Sequence, residues 1–74
     1  MKVTIKLFAS LRAGRFDSEQ RELPAGSDLA AAITAAGVEA REAAVVFVNS
    51  RHAEPARPLA EGDVVAIFPP VGGG

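Results

Sequence analysis

The chain has no cysteine, which excludes a disulfide, a thiolate-bound metal and a catalytic thiol. It has no tryptophan and no tyrosine, so the large polar rings that often stack on nucleic-acid bases are missing. Eight basic residues against nine acidic ones give a formal charge of −1. That lacks the basic excess of a nucleic-acid binder. The single histidine, His52, cannot build a zinc site alone, and no metal site is expected. No apolar run approaches the roughly 20 residues of a membrane-spanning helix. The opening "MKVTIKLF" alternates instead of forming the continuous apolar stretch of a signal peptide. The expectation is a cytoplasmic protein with neither a membrane nor a nucleic acid as its partner.

What is present suits one small folded domain, residues 1–74. Hydrophobic residues make up 49% of the chain, enough for a packed core near the lower size limit for a domain without staples. "KVTIKLF" has period two, with Val3, Ile5 and Leu7 on one side and Lys2, Thr4, Lys6 and Phe8 on the other; this predicts a half-buried strand. "SLRAGRFD" reads as a loop and "SEQREL" as a weak edge strand ended by Pro24 and Gly26. "SDLAAAITAAG" predicts a helix capped by Ser27 or Asp28, with a buried stripe at Leu29, Ala32, Ile33 and Ala36 and a stop at Gly37. "VEAREA" is at most a helical turn. "AVVFVN" and "GDVVAIF" are strands, and a short strand is expected near Arg51–Ala53. Two strands, a crossing helix and further strands predict an α+β fold: a β-grasp, a mixed sheet covered on one face by one main helix.

The phase of these strands sets three phenylalanines apart. Burying Val3, Ile5 and Leu7 sends Phe8 to the opposite face; burying Val46 and Val48 sends Phe47 there, and burying Val65 and Ile67 sends Phe68. One helix covers one face, so these rings belong to the uncovered face. Scattered surface apolar residues are ordinary. Phenylalanines gathered at strand ends beside a "PP" read better as a partner-binding patch.

The sequence closes on "PPVGGG", Pro69 to Gly74. Glycines contribute nothing to a core, and a frayed terminus is the bland reading. The functional reading uses the missing Cβ. A glycine arm threads a channel too narrow for side chains and presents an unguarded carboxylate on Gly74. Pro69 and Pro70 restrict φ at the root of this flexible 69–74 tail and keep it extended.

"FASLR" (Phe8 to Arg12), "VN" (Val48, Asn49) and "EGDVVAIFPPVGGG" (Glu61 to Gly74) resemble the small subunit of molybdopterin synthase, a ubiquitin-like β-grasp sulfur carrier. The resemblance runs through essentially the whole chain. It implies that an E1-like enzyme adenylates the Gly74 carboxylate with ATP and that a sulfur donor protein converts it to a thiocarboxylate. The tail then inserts into the large synthase subunit, in a heterotetramer, and gives sulfur to cyclic pyranopterin monophosphate to form the molybdopterin dithiolene. Gly74 and Gly73 carry the chemistry. Phe8, Arg12, Phe68, Pro69, Pro70, Val71 and Gly72 contact partners. No tightly bound cofactor and no catalytic side chain is implied, so the chain is the sulfur-donating, non-catalytic subunit of a sulfurtransferase.

Some positions depart from the family pattern. Gly37 to Ala44 is short where a second helix commonly sits, Arg21 replaces an apolar strand residue, and His52 stands where an apolar partner contact is common. In length the chain is nearer the thiamine-pathway carriers. The alternatives are therefore a carrier for thiamine or another sulfur-containing product, a ubiquitin-like modifier joined to lysines through Gly74, and a non-covalent β-grasp interaction module.

Overall fold

The computed structural model describes residues 1–70. Its strands are β1 (Lys2–Leu7), β2 (Ser18–Glu22), β3 (Val45–Val48), β4 (Arg51–His52) and β5 (Val64–Phe68). The helix α1 (Leu29–Ala35) lies between β2 and β3 in sequence, and 3₁₀ turns occupy Ala9–Arg12 and Ala40–Glu42. The sheet order is β2-β1-β5-β3-β4. β1 and β5 pair in parallel at its centre, and every other pair is antiparallel. This is the expected mixed β-grasp sheet under one helix.

The alternation of β1 decides which face the helix covers. Val3, Ile5 and Leu7 meet Val46, Val48, Val65 and Ile67 beneath Leu29, Ala32 and Ile33, and all are buried. Leu11, Val38, Ala53 and Leu59 join them. These four sit in irregular segments, where no period announces an inward side chain. Leu11 is buried because the segment after β1, expected to be plain loop, starts with a 3₁₀ turn in which its N–H donates to the Phe8 carbonyl at 3.2 Å.

The helix is shorter than the "SDLAAAITAAG" stretch that signalled it. Asp28, not Ser27, is the cap: its carboxylate accepts from the Ala31 N–H at 3.0 Å. Ser27 instead donates its hydroxyl to the Pro24 carbonyl at 2.7 Å. At the other end Gly37 takes φ +77°. The Gly37 N–H bonds the Thr34 carbonyl at 3.0 Å and the Val38 N–H bonds the Ile33 carbonyl at 3.2 Å, a Schellman closure that buries Val38.

Two arginines complete the covered side. Arg21 lies opposite Val3 on edge strand β2, the position where an apolar residue was looked for. Its guanidinium stands 5.4 Å from the Phe16 ring centre and donates to the Ala35 carbonyl at 3.0 Å. It thus satisfies a C-terminal helix carbonyl while its stem packs on apolar surface. Arg15 donates to the carbonyls of Leu11 at 3.1 Å and Gly37 at 3.1 Å and to Glu42 at 3.2 Å. That clamp ties the short 37–44 segment to the first loop. The backbone N–H of Glu39, and then Arg15, hold the Glu42 carboxyl below its ordinary range.

A second clamp closes the β3–β4 hairpin. Asn49 and Ser50 take φ +51° and +69°, as a two-residue type I′ turn requires. Asn49 Oδ1 accepts from the Val64 N–H and its Nδ2 donates to Asp63 Oδ1, each at 2.9 Å. Asp63 Oδ2 accepts from the Ala60 N–H at 2.9 Å. The Ala60 N–H, and then the Asn49 amide, lower the Asp63 carboxyl pKa. A lowered folded pKa contributes stability above the unfolded value of about 4 and loses it as pH falls through the folded value. Thermal unfolding of Asp63→Asn should therefore show a smaller drop in Tm between pH 7 and pH 3 than the parent. An equal drop in both would show that the clamp does not sense protonation.

Candidate functional site

The uncovered face can be read directly from the strand registers. Leu7 pairs with Ile67, so Phe8, one residue on, comes beside Phe68. The Phe8 N–H donates to the Ile67 carbonyl at 3.2 Å and holds it there. Val45 pairs with Phe68 on the other side. The next row runs Ser18, Lys6, Ala66, Phe47, His52.

On this face the rings of Phe8 and Phe68 stack, with centres 4.3 Å apart and planes 9° apart. Phe47 meets Phe68 edge-on at 5.8 Å, and His52 meets Phe47 edge-on at 6.0 Å. Offset-stacked and edge-on geometries are the favourable ones for such rings. None of the phenylalanines belongs to the buried core, and all three remain half-buried because they shield one another. Strand phase thus placed Phe8, Phe47 and Phe68 on the correct face. Phase alone did not reveal that they form one stacked cluster, which follows from the parallel β1–β5 register. His52, read as a departure from an apolar contact, extends the cluster to the sheet edge.

The remaining candidates divide into three groups. Pro69, half-buried, and Pro70, exposed, follow Phe68 directly, so β5 ends at the aromatic cluster. Arg12 is half exposed and sits 4.0 Å from Asp17; a loose surface pair of this kind contributes little to stability. Val71, Gly72, Gly73 and Gly74 lie outside the described residues.

The three rings give the face a largely apolar surface, with His52 at its edge. Among the described residues no three His, Asp or Glu side chains gather as metal ligands. No described helix is long and apolar enough to cross a membrane.

The sequence matches the ThiS family over residues 5–74. No curated protein matches it. Among solved structures, SAMP1 from Haloferax volcanii aligns with a TM-score of 0.81 at 25% identity, with 100% of both chains covered. Subunit 1 of a putative molybdopterin converting factor from Pyrococcus furiosus is 33% identical, with a TM-score of 0.77 over 96% of this chain and 99% of that one. The complex of subunits 1 and 2 of the molybdopterin-converting factor from Helicobacter pylori shares the fold, at 21% identity and a TM-score of 0.68 with 100% of both chains covered.

Proposed function

Because the chain belongs to the ThiS family of ubiquitin-like sulfur carriers, we propose that it is the cytoplasmic sulfur-carrier subunit of a molybdopterin synthase. The observation that carries this reading is the course of β5, which presents Phe68 against Phe8 and passes straight into Pro69, Pro70 and the glycines. A partner that grips the aromatic cluster has the tail within reach of its own active site. The 33% identity to the Pyrococcus furiosus subunit favours the molybdopterin pathway over thiamine. The Helicobacter pylori structure is a complex of subunits 1 and 2, which supports a large-subunit partner.

The chemistry follows from the carboxylate. A free carboxylate is a poor acyl donor, so an E1-like partner must activate it. The Gly74 carboxylate oxygen attacks the α-phosphorus of ATP, pyrophosphate leaves, and a glycyl adenylate forms. Sulfide-level sulfur (HS⁻) delivered by the donor protein then attacks the acyl carbon and expels AMP, which leaves the thiocarboxylate. This is covalent activation of an acyl group, and the leaving group is the essential gain. The thiocarboxylate sulfur attacks cyclic pyranopterin monophosphate to give a thioester-linked adduct; water then cleaves the acyl–sulfur bond, which leaves the sulfur on the pterin and returns Gly74 as a carboxylate. A dithiolene holds two sulfurs and each carrier brings one, which suits a heterotetramer with two carriers.

Gly73→Val tests the channel. A β-branched side chain adds bulk and removes backbone conformations from an arm that must thread a narrow passage. ATP–pyrophosphate exchange by the activating enzyme should fall sharply with this variant although the carboxylate survives. Exchange at the parental rate would show that the tail is not sterically gated.

A second reading has its own support. SAMP1 is called a small archaeal modifier protein in a further solved structure of the same fold. As a modifier, the chain would form isopeptide bonds to lysines through Gly74. Higher-mass conjugates that survive thiol treatment would favour that reading over the carrier.

A further inference from the structure

The aromatic cluster has a gap, and the gap has a charge beside it. In the row Ser18, Lys6, Ala66, Phe47, His52, the central residue is the smallest apolar one. Ala66 and Val64 floor a depression of about 560 Å³ flanked by Lys6 on the β1 side and Phe47 on the β3 side, with Phe8 and Phe68 at one end and Asn49 and Ser50 at the other. The depression is open and shallow, which suits a protruding side chain better than an enclosed small molecule.

Lys6 is exposed, and no carboxylate lies within ion-pair distance of it among the described residues. The acidic residues of the neighbouring edge are engaged elsewhere: Asp17 sits 4.0 Å from Arg12, Glu19 lies opposite Ile5 on the covered side and contacts Arg21 at 3.3 Å, and Glu22 contacts the Met1 ammonium at 3.5 Å. A protein that covers the phenylalanines also removes water from beside Lys6. An ammonium left without a partner there would oppose binding strongly.

We propose that this notch selects the large synthase subunit: it receives one apolar side chain over Ala66 and Val64, and Lys6 pairs with a carboxylate next to that side chain on that subunit. The inference rests on the open face being the docking face, as the proposed function requires. It adds the partner's chemistry, an apolar knob flanked by an acidic residue. It also gives Lys6 a role the family resemblance does not assign.

The test measures affinity for the large synthase subunit by calorimetry at low and high salt, with intact chain and three variants. Lys6→Met keeps the stem and removes the charge. It should weaken binding at low salt by at least about tenfold and flatten the salt dependence, as loss of a desolvated charge pair does. Ala66→Phe fills the notch and should weaken binding by at least about tenfold, as truncation or blocking of an interface anchor does. Phe68→Ala reports on the face itself. If Phe68→Ala weakens binding while Lys6→Met binds as tightly as the parent, the ammonium merely bends away to solvent and the proposal fails alone. If Phe68→Ala binds normally, the docking face lies elsewhere and both readings fall. Thermal unfolding of each variant guards against misfolding. Should Ala66→Phe not fold, Lys6→Met still decides the matter.

Discussion

A chain lacking Gly74 is expected to lose sulfur transfer completely while unfolding at the same temperature as the parent. The reacting atom is the carboxylate carbon of that residue, and a chain one residue shorter presents its carboxylate about 3.5 Å short of the same place. Reacting atoms must meet at near-contact distance, so a shift of that size removes the advantage of holding them together. Extension by one residue should have the same effect for the same reason. Stability should not move, because the described core runs from Val3 to Ile67 and the tail follows it. Retained transfer by the shortened chain would sink the carrier reading and favour the non-covalent interaction module. Loss of transfer together with a lower melting temperature would mean that Gly74 supports the fold instead of only carrying the reacting group.

Neighbouring residues on β5 should respond oppositely to the same truncation. Ile67 is fully buried and Phe68 is half-buried on the open face. Ile67→Ala should destabilise the domain by about 2–5 kcal/mol, the usual range for a large-to-small change in a core. For a small domain that is a large share of the total. Phe68→Ala loses its stacking with Phe8 and edge contact with Phe47, which costs only about 0.5–1.5 kcal/mol beyond area for such a pair. Its main loss should appear in partner binding, roughly 1–3 kcal/mol for an aromatic anchor. Phe8→Ala should behave like Phe68→Ala. Denaturant unfolding and calorimetric binding on the same variants separate the two effects. A stability loss for Phe68→Ala equal to that for Ile67→Ala, with unchanged affinity, would show that the open-face rings serve the fold instead of a partner.

The residues that announced themselves in the sequence are those whose position obeys a period. Val3, Ile5 and Leu7 alternate, the helix stripe from Leu29 to Ala36 repeats at helical spacing, and Gly37 ends it at positive φ. From these the sheet faces and the outward phenylalanines followed. Leu11, Val38, Ala53 and Leu59 were silent because 3₁₀ turns and loops turn their side chains inward by tertiary contact, not by local pattern. Arg21 read as an anomaly because its partners, Phe16 and the Ala35 carbonyl, come from distant parts of the chain. Arg15 gave no signal at all for the same reason. Ala66 shows the limit most plainly. An alanine in a strand says nothing until the register sets it between Lys6 and Phe47.

Intact mass spectrometry of the carrier tests the central claim most directly. The chain would be incubated with ATP, an E1-like adenylating enzyme and a sulfur donor. The predicted result is a mass gain equal to one oxygen replaced by sulfur, located at Gly74 and dependent on ATP. An unchanged mass under conditions where the adenylate forms, or a sulfur placed anywhere but the terminal carboxyl, would contradict the carrier mechanism.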